Sequence, residues 1–489
     1  MLAGFLSAVR SDAASAPVFD LARMPLRHAR YMIALSDGKV APEMTDRLYA
    51  EKYRPQFHFT AKANWLNDPN GLVYYAGRYH LFFQHNPSGT DWGNMTWGHA
   101  VSPDLVHWTQ VEHAILPDRL GTIFSGSAVV DWDNTSGFGT GKEKPLIAFY
   151  TAAGGTSEES EGQPFTQCIA YSNDGGDTWT KYPGNSVVPH IEGSNRDPKV
   201  IRYGRKWIMV LYLDGNSFAL LESKDAKSWT RIQDIEFPGR DECPDFFPMK
   251  VGGRTKWILT AANGDYYVGT FDGKRYTPES GPHTGDFGGN FYAVQTWSDA
   301  PDGRRIQIAW MRGGQYPGMP FNQQMSFPTD LKLKPFPEGL RICRLPVREV
   351  ETLRETECAF RNEMLEPGKN LLAGISGDLF DISAEIEMKD ASGIEIKALG
   401  ETIGYSAKDG KLTCLGRTAD LSPVSGRIKL RILVDRTSLE VFANDGKVCM
   451  TSCFLPTAEP SGLSLEARGG PARVLSLRVY KLRSAWPHR

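Results

Sequence analysis

The chain has 489 residues, 41% hydrophobic and 23% charged, with a formal net charge of −2. A chain of this length exceeds one hydrophobic core, so at least two domains are expected. The near-neutral balance gives no electrostatic case for nucleic acid or an anionic membrane surface, and no apolar run approaches the ~20 residues of a membrane span.

Residues 1–50 read as an extension ahead of the first domain, with a short helix expected around Leu26–Ser36. Met1 to Val9 is mildly apolar and Ala13-Ala14-Ser15-Ala16 resembles a small-residue cleavage site. No Lys or Arg precedes the apolar stretch, so the signal-peptide pattern is weak. Secretion or a periplasmic location is the expectation, with the cytoplasm left open.

From Tyr53 to about Leu345, short β-type runs alternate with turn clusters. Examples are Gly71-Leu-Val-Tyr-Tyr, Tyr79-His-Leu-Phe-Phe-Gln, Lys206-Trp-Ile-Met-Val-Leu-Tyr and Arg305-Ile-Gln-Ile-Ala-Trp. A weak repeat underlies them. Ser102-Pro-Asp104 leads to Trp108, Ser172-Asn-Asp174 to Trp179, and Ser223-Lys-Asp225 to Trp229. One turn-plus-strand unit repeating at several tens of residues points to a β-propeller, although Ser-x-Asp also forms isolated turns.

After about residue 350 the aromatic density drops. The runs from Leu379, Ile428 and Ser438 read as strands, the first and third alternating polar and apolar as half-buried strands do. Asn444-Asp445-Gly446 reads as a hairpin turn. The expected division is an extension at 1–50, a propeller at 51–345 and an all-β sandwich at 346–489. The sandwich holds no dense cluster of acids and aromatics, so a structural role is expected for it.

The seven cysteines, at 168, 243, 343, 358, 414, 449 and 453, are odd in number and contain no CxxC pair. That speaks against a disulfide framework or a cysteine zinc site. Cys449 and Cys453 are poorly spaced for pairing in a strand, and buried free thiols are the plainer reading. Six of ten histidines fall between His58 and His113, without a metal-ligand spacing such as His-Glu-x-x-His. No metal or other cofactor is expected.

Three carboxylates stand in unusual settings, each within two residues of a proline. Asp68 lies in Trp65-Leu66-Asn67-Asp68-Pro69-Asn70-Gly71, Asp197 in Asn195-Arg196-Asp197-Pro198, and Glu242 in Asp241-Glu242-Cys243-Pro244-Asp245-Phe246-Phe247. Three acids on three strand starts suit a glycosidic site, which needs a nucleophile, an acid/base and a group that holds the sugar. Each also has a plainer reading. Asn-Asp-Pro-Asn-Gly is good Asx-turn text, Arg196-Asp197 could be an ordinary ion pair, and Glu242 could be an exposed loop acid. Cys, Pro and two Phe beside Glu242 suggest partial desolvation, which suits a general acid; Asp241 and Asp245 are its local competitors.

In this order the three motifs resemble the β-fructofuranosidase family of glycoside hydrolases: invertases, fructan exohydrolases, inulinases and levanases. The resemblance runs from Tyr53 to about residue 485 and includes Leu433-Val-Asp435-Arg436-Thr-Ser-Leu439-Glu440-Val-Phe442 in the second domain. It implies an all-β fold, a five-bladed β-propeller followed by a C-terminal β-sandwich, with a funnel at the propeller axis. It implies Asp68 as nucleophile, Glu242 as acid/base, and Asp197, partnered by Arg196, as stabiliser of the transition state. Asn67, Gln84, Trp92, Phe124, Ser125 and Trp310 match sugar-contacting positions.

The implied reaction is retaining hydrolysis of terminal β-fructofuranosyl linkages in inulin- or levan-type fructans or sucrose. A fructosyltransferase with the same acids, an inverting furanosidase and a sugar-binding propeller remain alternatives. The expected partners are fructose-containing saccharides, not nucleic acid or a membrane. Asn290, in Gly289-Asn290-Phe291-Tyr292, departs from the family pattern, where an acid is common, and contacts at the pocket rim are expected to differ there.

Overall fold

The computed structural model describes residues 48–456 and 462–486; the helix expected at Leu26–Ser36 and the weak leader lie outside the described residues. Five antiparallel sheets follow one another along the chain. The first contains β1 (Asn64–Tyr75), β2 (Arg78–Asn86), β3 (Thr96–Ser102) and β4 (Thr109–Ile115); the second β5 (Thr122–Val130), β6 (Leu146–Ala153), β7 (Thr166–Ser172) and β8 (Thr180–Lys181). The third is β9 (Arg196–Tyr203), β10 (Lys206–Asp214), β11 (Ser217–Ser223) and β12 (Thr230–Glu236). The fourth is β13 (Asp245–Val251), β14 (Arg254–Thr260), β15 (Tyr266–Phe271) and β16 (Tyr276–His283). The fifth starts with β17 (Tyr292–Thr296) and β18 (Ile306–Trp310). A two-residue strand, β19 (Phe321–Asn322), then leaves to pair in parallel with Asn64 and Trp65 of β1, and β20 (Thr329–Phe336) and β21 (Gly339–Pro346) complete the sheet. These are the blades of a five-bladed propeller.

Burial explains the order within a blade. β6 is buried at all eight positions and β10 at seven of nine, because both faces lie against neighbouring blades. The last strands, β4 and β12, are exposed or half-buried at all but one position each. The first strands, β1, β5, β9, β13 and β17, surround the axis.

Polar side chains tie these inner strands together. Asn70 Oδ1 accepts from Gly126 N at 3.1 Å, and Ser127 Oγ accepts from Val200 N and donates to Pro198 O, both at 2.9 Å. Lys199, fully enclosed, pairs with Asp245 at 3.1 Å and donates to Thr296 O at 2.8 Å, joining the third, fourth and fifth blades. Every buried polar group in this ring needs such a partner, since an orphan would cost about 1–3 kcal/mol.

The Ser-x-Asp units are one structural device used three times, the turn from third to fourth strand. In the third blade Asp225 Oδ1 accepts from Ser223 Oγ, Lys227 N and Ser228 N, and the Trp229 indole donates to Ala226 O at 3.0 Å. Asp104 with Trp108 does the same in the first blade; in the second, one residue longer, Asp174 Oδ1 accepts from Ser172 Oγ and Thr178 N and the Trp179 indole donates to Gly176 O.

Two further sheets form the sandwich. One has the order Arg354–Leu365, Ala472–Leu482, Phe380–Glu387, Arg427–Asp435, Ser438–Ala443, Val448–Cys453; the other Arg417–Asp420, Lys411–Cys414, Glu401–Ser406, Gly393–Ala398, Ser464–Arg468. Ile382, Ile394, Ile432 and Leu465 are among the residues filling the space between them. The strand Ser438–Ala443 does not alternate as its sequence suggests: all six residues are buried. Its second face lies on the propeller, where Phe442 and Leu433 join a cluster with Phe57, Phe59 and Phe327. Asn444 and Asp445, at φ of 47° and 58°, make the expected hairpin turn.

Two polar clasps fix this interface. The His58 ring bridges Asp435 at 2.9 Å through Nδ1 and Glu440 at 2.8 Å through Nε2. Asp286 pairs with Arg344 and accepts from Thr451 N at 3.0 Å. All seven cysteines are free, Cys358 and Cys453 only half-buried.

Candidate active site

The three acids converge because the inner strands break register where the acids sit. On β1 the pairing with β2 slips between Leu66 and Pro69, which places Asn67 and Asp68 on a bulge. On β9 the pairing slips across Asp197 and Pro198, and on β5 across Ser125. A proline cannot donate to a ladder, and a bulge re-aims the side chain beside it. Gly71, at φ +56°, completes the first of these: a Cβ there would meet Phe82 at 2.5 Å. Asp197 (φ 63°), Glu242 (φ 35°) and Cys243 (φ 44°) have left-handed backbone, a strained state for non-glycine residues that clusters at functional sites.

A cavity of about 380 Å³ lies at this end of the axis. It is lined by all ten residues singled out from sequence: Asp68, Asp197, Glu242, Asn67, Gln84, Trp92, Phe124, Ser125, Arg196 and Trp310. Trp65, Tyr292 and Arg312 also line it and were not singled out. Trp65 lay in the quoted nucleophile motif. Nothing in the local text marks Tyr292 or Arg312, which belong to the fifth blade and reach the site only through the fold.

Asp68 accepts from Ser125 Oγ at 2.6 Å on Oδ2 and from Asn67 Nδ2 at 3.1 Å on Oδ1. Asn67 is fixed in turn by the Trp65 indole at 2.8 Å. Burial pushes the Asp68 carboxyl above its usual range; the Ser125 hydrogen bond opposes this and Glu242 adds to it. Asp197 Oδ2 accepts from Cys243 N at 3.0 Å. The Cys243 sulfur lies 3.6 Å from Asp68 Oδ2 and 3.4 Å from Asp197 Oδ2, so one thiol touches two of the acids. Burial and the surrounding carboxylates push that thiol up, which keeps it a neutral S–H donor.

Glu242 is held from two sides. Arg196 donates to Oε2 from Nε at 3.2 Å and Nη2 at 2.8 Å, and the Tyr292 hydroxyl donates to Oε1. This differs in two ways from the sequence expectation. Glu242 is partly desolvated as expected, its side chain 25% exposed, but Phe246 and Phe247 turn into the blade cores and do not supply the enclosure. Arg196 sits closer to Glu242, 2.8 Å from Oε2, than to Asp197, 3.6 Å away. Of the local competitors, Asp245 is sealed against Lys199, and Asp241 is exposed and outside the lining.

The remaining walls are aromatic. Trp92 and Phe124 meet edge-to-face at 6.0 Å on one side; Trp310 stands 6.2 Å from both Trp65 and Tyr292 on the other. Trp92 is 56% exposed and forms the rim. Gln84 is buried with no protein partner for its Nε2. Such a cavity offers carboxylates and amides to hydroxyls, and ring faces to C–H surface.

Residues 58–343 match the family described as glycosyl hydrolases family 32 N-terminal domain, and residues 349–481 match glycosyl hydrolases family 32 C terminal. The chain is 44% identical to a levanase of Bacillus subtilis over 90% of its own length and 72% of the levanase's. It is 31% identical to an extracellular exo-inulinase of Aspergillus awamori over 90% of this chain and 96% of the relative. The crystal structure of exo-inulinase from that organism superposes with a TM-score of 0.81 at 30% identity, covering 90% and 100% of the two chains. A fructofuranosidase from Schwanniomyces occidentalis complexed with fructose gives a TM-score of 0.80 at 27% identity over 89% and 99%.

Proposed function

The chain belongs to glycosyl hydrolase family 32, and on that premise we propose that it releases terminal β-fructofuranosyl units from fructans, and from sucrose, with retention of configuration. The observation that carries the reading is the placement of Asp68, Asp197 and Glu242 around one cavity, two of them in contact with the same thiol. Relatives named levanase and exo-inulinase support fructans as the substrate class.

The chemistry divides among the three acids. Asp68 attacks the anomeric carbon of the terminal fructosyl unit. As that C–O bond breaks, Glu242 gives its proton to the departing oxygen. The product is a fructosyl ester on Asp68 and a shortened saccharide. Water then attacks the anomeric carbon, its proton passes to Glu242, and fructose leaves with Asp68 freed. A retaining pair works at a carboxyl separation of about 5–5.5 Å, too close for an inverting water to stand between. Asp197 faces the same cavity and accepts hydroxyl hydrogens of the fructosyl ring. Those bonds strengthen as the ring flattens toward an oxocarbenium ion. The propeller carries this chemistry.

Relatives named as extracellular support action outside the cytoplasm; among the described residues no helix is long and apolar enough to cross a membrane.

Incubation with sucrose, inulin and levan followed by sugar analysis tests the reading. Free fructose as the accumulating product is expected; longer fructosides in place of fructose would make the chain a transferase with the same acids. Asp68→Asn keeps the shape of the side chain but is a poor nucleophile. It should remove turnover by orders of magnitude with melting near wild type, and substantial residual activity would end the nucleophile assignment.

A further inference from the structure

The segment that joins β16 to β17 runs along the sandwich before it enters the cavity. Phe287 N donates to Cys449 O at 2.8 Å and Asn290 N to Thr451 O at 3.0 Å. Gly288 N and Thr451 N both donate to Asp286 Oδ1, at 2.7 and 3.0 Å. Residues 286–290 therefore lie on the sandwich strand Val448–Cys453 like one more short strand. Two residues later comes Tyr292, whose hydroxyl holds Glu242 Oε1.

The Asn290 side chain joins these two regions. Its Oδ1 accepts from Cys453 N, in the sandwich, at 2.8 Å. Its Nδ2 donates to the carbonyl of Arg312 at 2.6 Å. The Arg312 guanidinium lies 4.4 Å over the Tyr292 ring and lines the cavity. A carboxylate at position 290 could accept from Cys453 but has no hydrogen to give the Arg312 carbonyl. The departure at Asn290 is thus a gained bond, and it falls on the wall that faces Glu242.

We infer that Asn290 is a positioning residue for Glu242: it clamps the Arg312–Tyr292 pair to the edge strand of the sandwich, so the second domain orients the general acid. The inference rests on Glu242 being the acid/base. Arg196 holds Oε2 alone; the Tyr292 hydroxyl on Oε1 fixes the second oxygen and with it the plane of the carboxyl. A proton donor set loosely by an ångström loses much of its effect, whereas substrate binding, which depends on the whole cavity, changes little.

The test uses the full chain and two substrates, sucrose and an aryl β-fructofuranoside with a nitrophenolate leaving group, which needs little help from an acid. Asn290→Ala should lower kcat on sucrose by about 10-fold, with KM nearly unchanged and the aryl substrate spared. Asn290→Asp keeps the acceptor for Cys453 and serves if the alanine variant does not fold; the same selective loss is expected. Tyr292→Phe removes only the hydroxyl and should show the same selectivity. Because both residues act through one contact, the double variant should be no slower than Tyr292→Phe alone. Equal loss on both substrates, no loss on either, or additive effects in the double variant would overturn the inference while leaving the hydrolase reading intact. A wild-type chain inert toward both substrates and toward inulin and levan would remove that reading as well.

Discussion

Asp197 is fully enclosed between Arg196, Cys243 and the other two acids. Burial, and after it the charges of Glu242 and Asp68, push its carboxyl up to about 7 against the lowering effect of Arg196. A raised folded-state value means that the native protein binds the proton more tightly than the unfolded chain, whose value is 3.8. Stability therefore falls as pH rises from about 4 to about 7 and stays lowered above that. Asp197→Asn carries no charge and can still accept from Cys243 N. Its Tm should match wild type near pH 4 and exceed it at pH 8, while kcat falls more than KM changes. A wild-type Tm above the variant's at pH 8 would show that Asp197 is not held against its charge. The three acids were legible in the sequence because each lies beside a proline that breaks a ladder. Their choice over Asp241 and Asp245 was not, since Asp241 and Glu242 lie in the irregular loop ahead of β13, whose left-handed backbone at Glu242 and Cys243 decides which carboxylate turns to the axis. Tyr292 and Arg312 were illegible for a related reason: their role depends on a fifth blade returning beside the first.

At the scale of the element, the turn from third to fourth strand is the repeated unit. The Ser-x-Asp-Trp text shows it in three blades. The fourth has the same turn, with Asp272 accepting from Lys274 N and Arg275 N, but an aromatic Tyr276 and no serine, so the repeat fades from view. Leu105, Gly175, Ala226 and Gly273, each directly after the aspartate, all have positive φ. The geometry is kept where the residues are not. Asp225→Ala leaves Lys227 N and Ser228 N without their acceptor. It should cost about 1–2 kcal/mol, lowering Tm by roughly 2–8 °C in a domain of this size. Asp177→Ala breaks an exposed pair with Arg78 (2.9 Å) and should stay within about 0.5 kcal/mol. Equal costs in thermal melts of the two variants would refute the turn account.

At the scale of the molecule, both domains were legible, as many short strands and a change in aromatic density, but the clasp between them was not. His58 is read in sequence as one of six clustered histidines; in the fold it lies between two acids that follow it by more than 370 positions. Burial alone would depress the imidazole, but Asp435 and Glu440 reverse that and raise it to about 9. Because the folded value lies above the ordinary 6.5, this contribution is complete below about pH 6.5 and is lost as pH rises through about 9. Melting across pH 6–10 should show that decline in wild type and a flatter profile in His58→Gln, which sits lower by about 3–5 kcal/mol near pH 6, because two buried carboxylates lose their cation, with the gap narrowing toward pH 10. Parallel profiles would rule the imidazolium out.

That clasp also sets a clock. His58 and Glu440 are 382 positions apart, and Pro55 O waits 431 positions for the Trp486 indole. At roughly 5–20 residues per second, a ribosome takes on the order of 20–80 s to supply Glu440 after His58. Throughout that interval Phe57 and Phe59, each 2% exposed in the finished fold, have no sandwich to rest on. The earliest segment of the propeller is thus among the last to be secured, and a nascent chain must shelter it for about a minute.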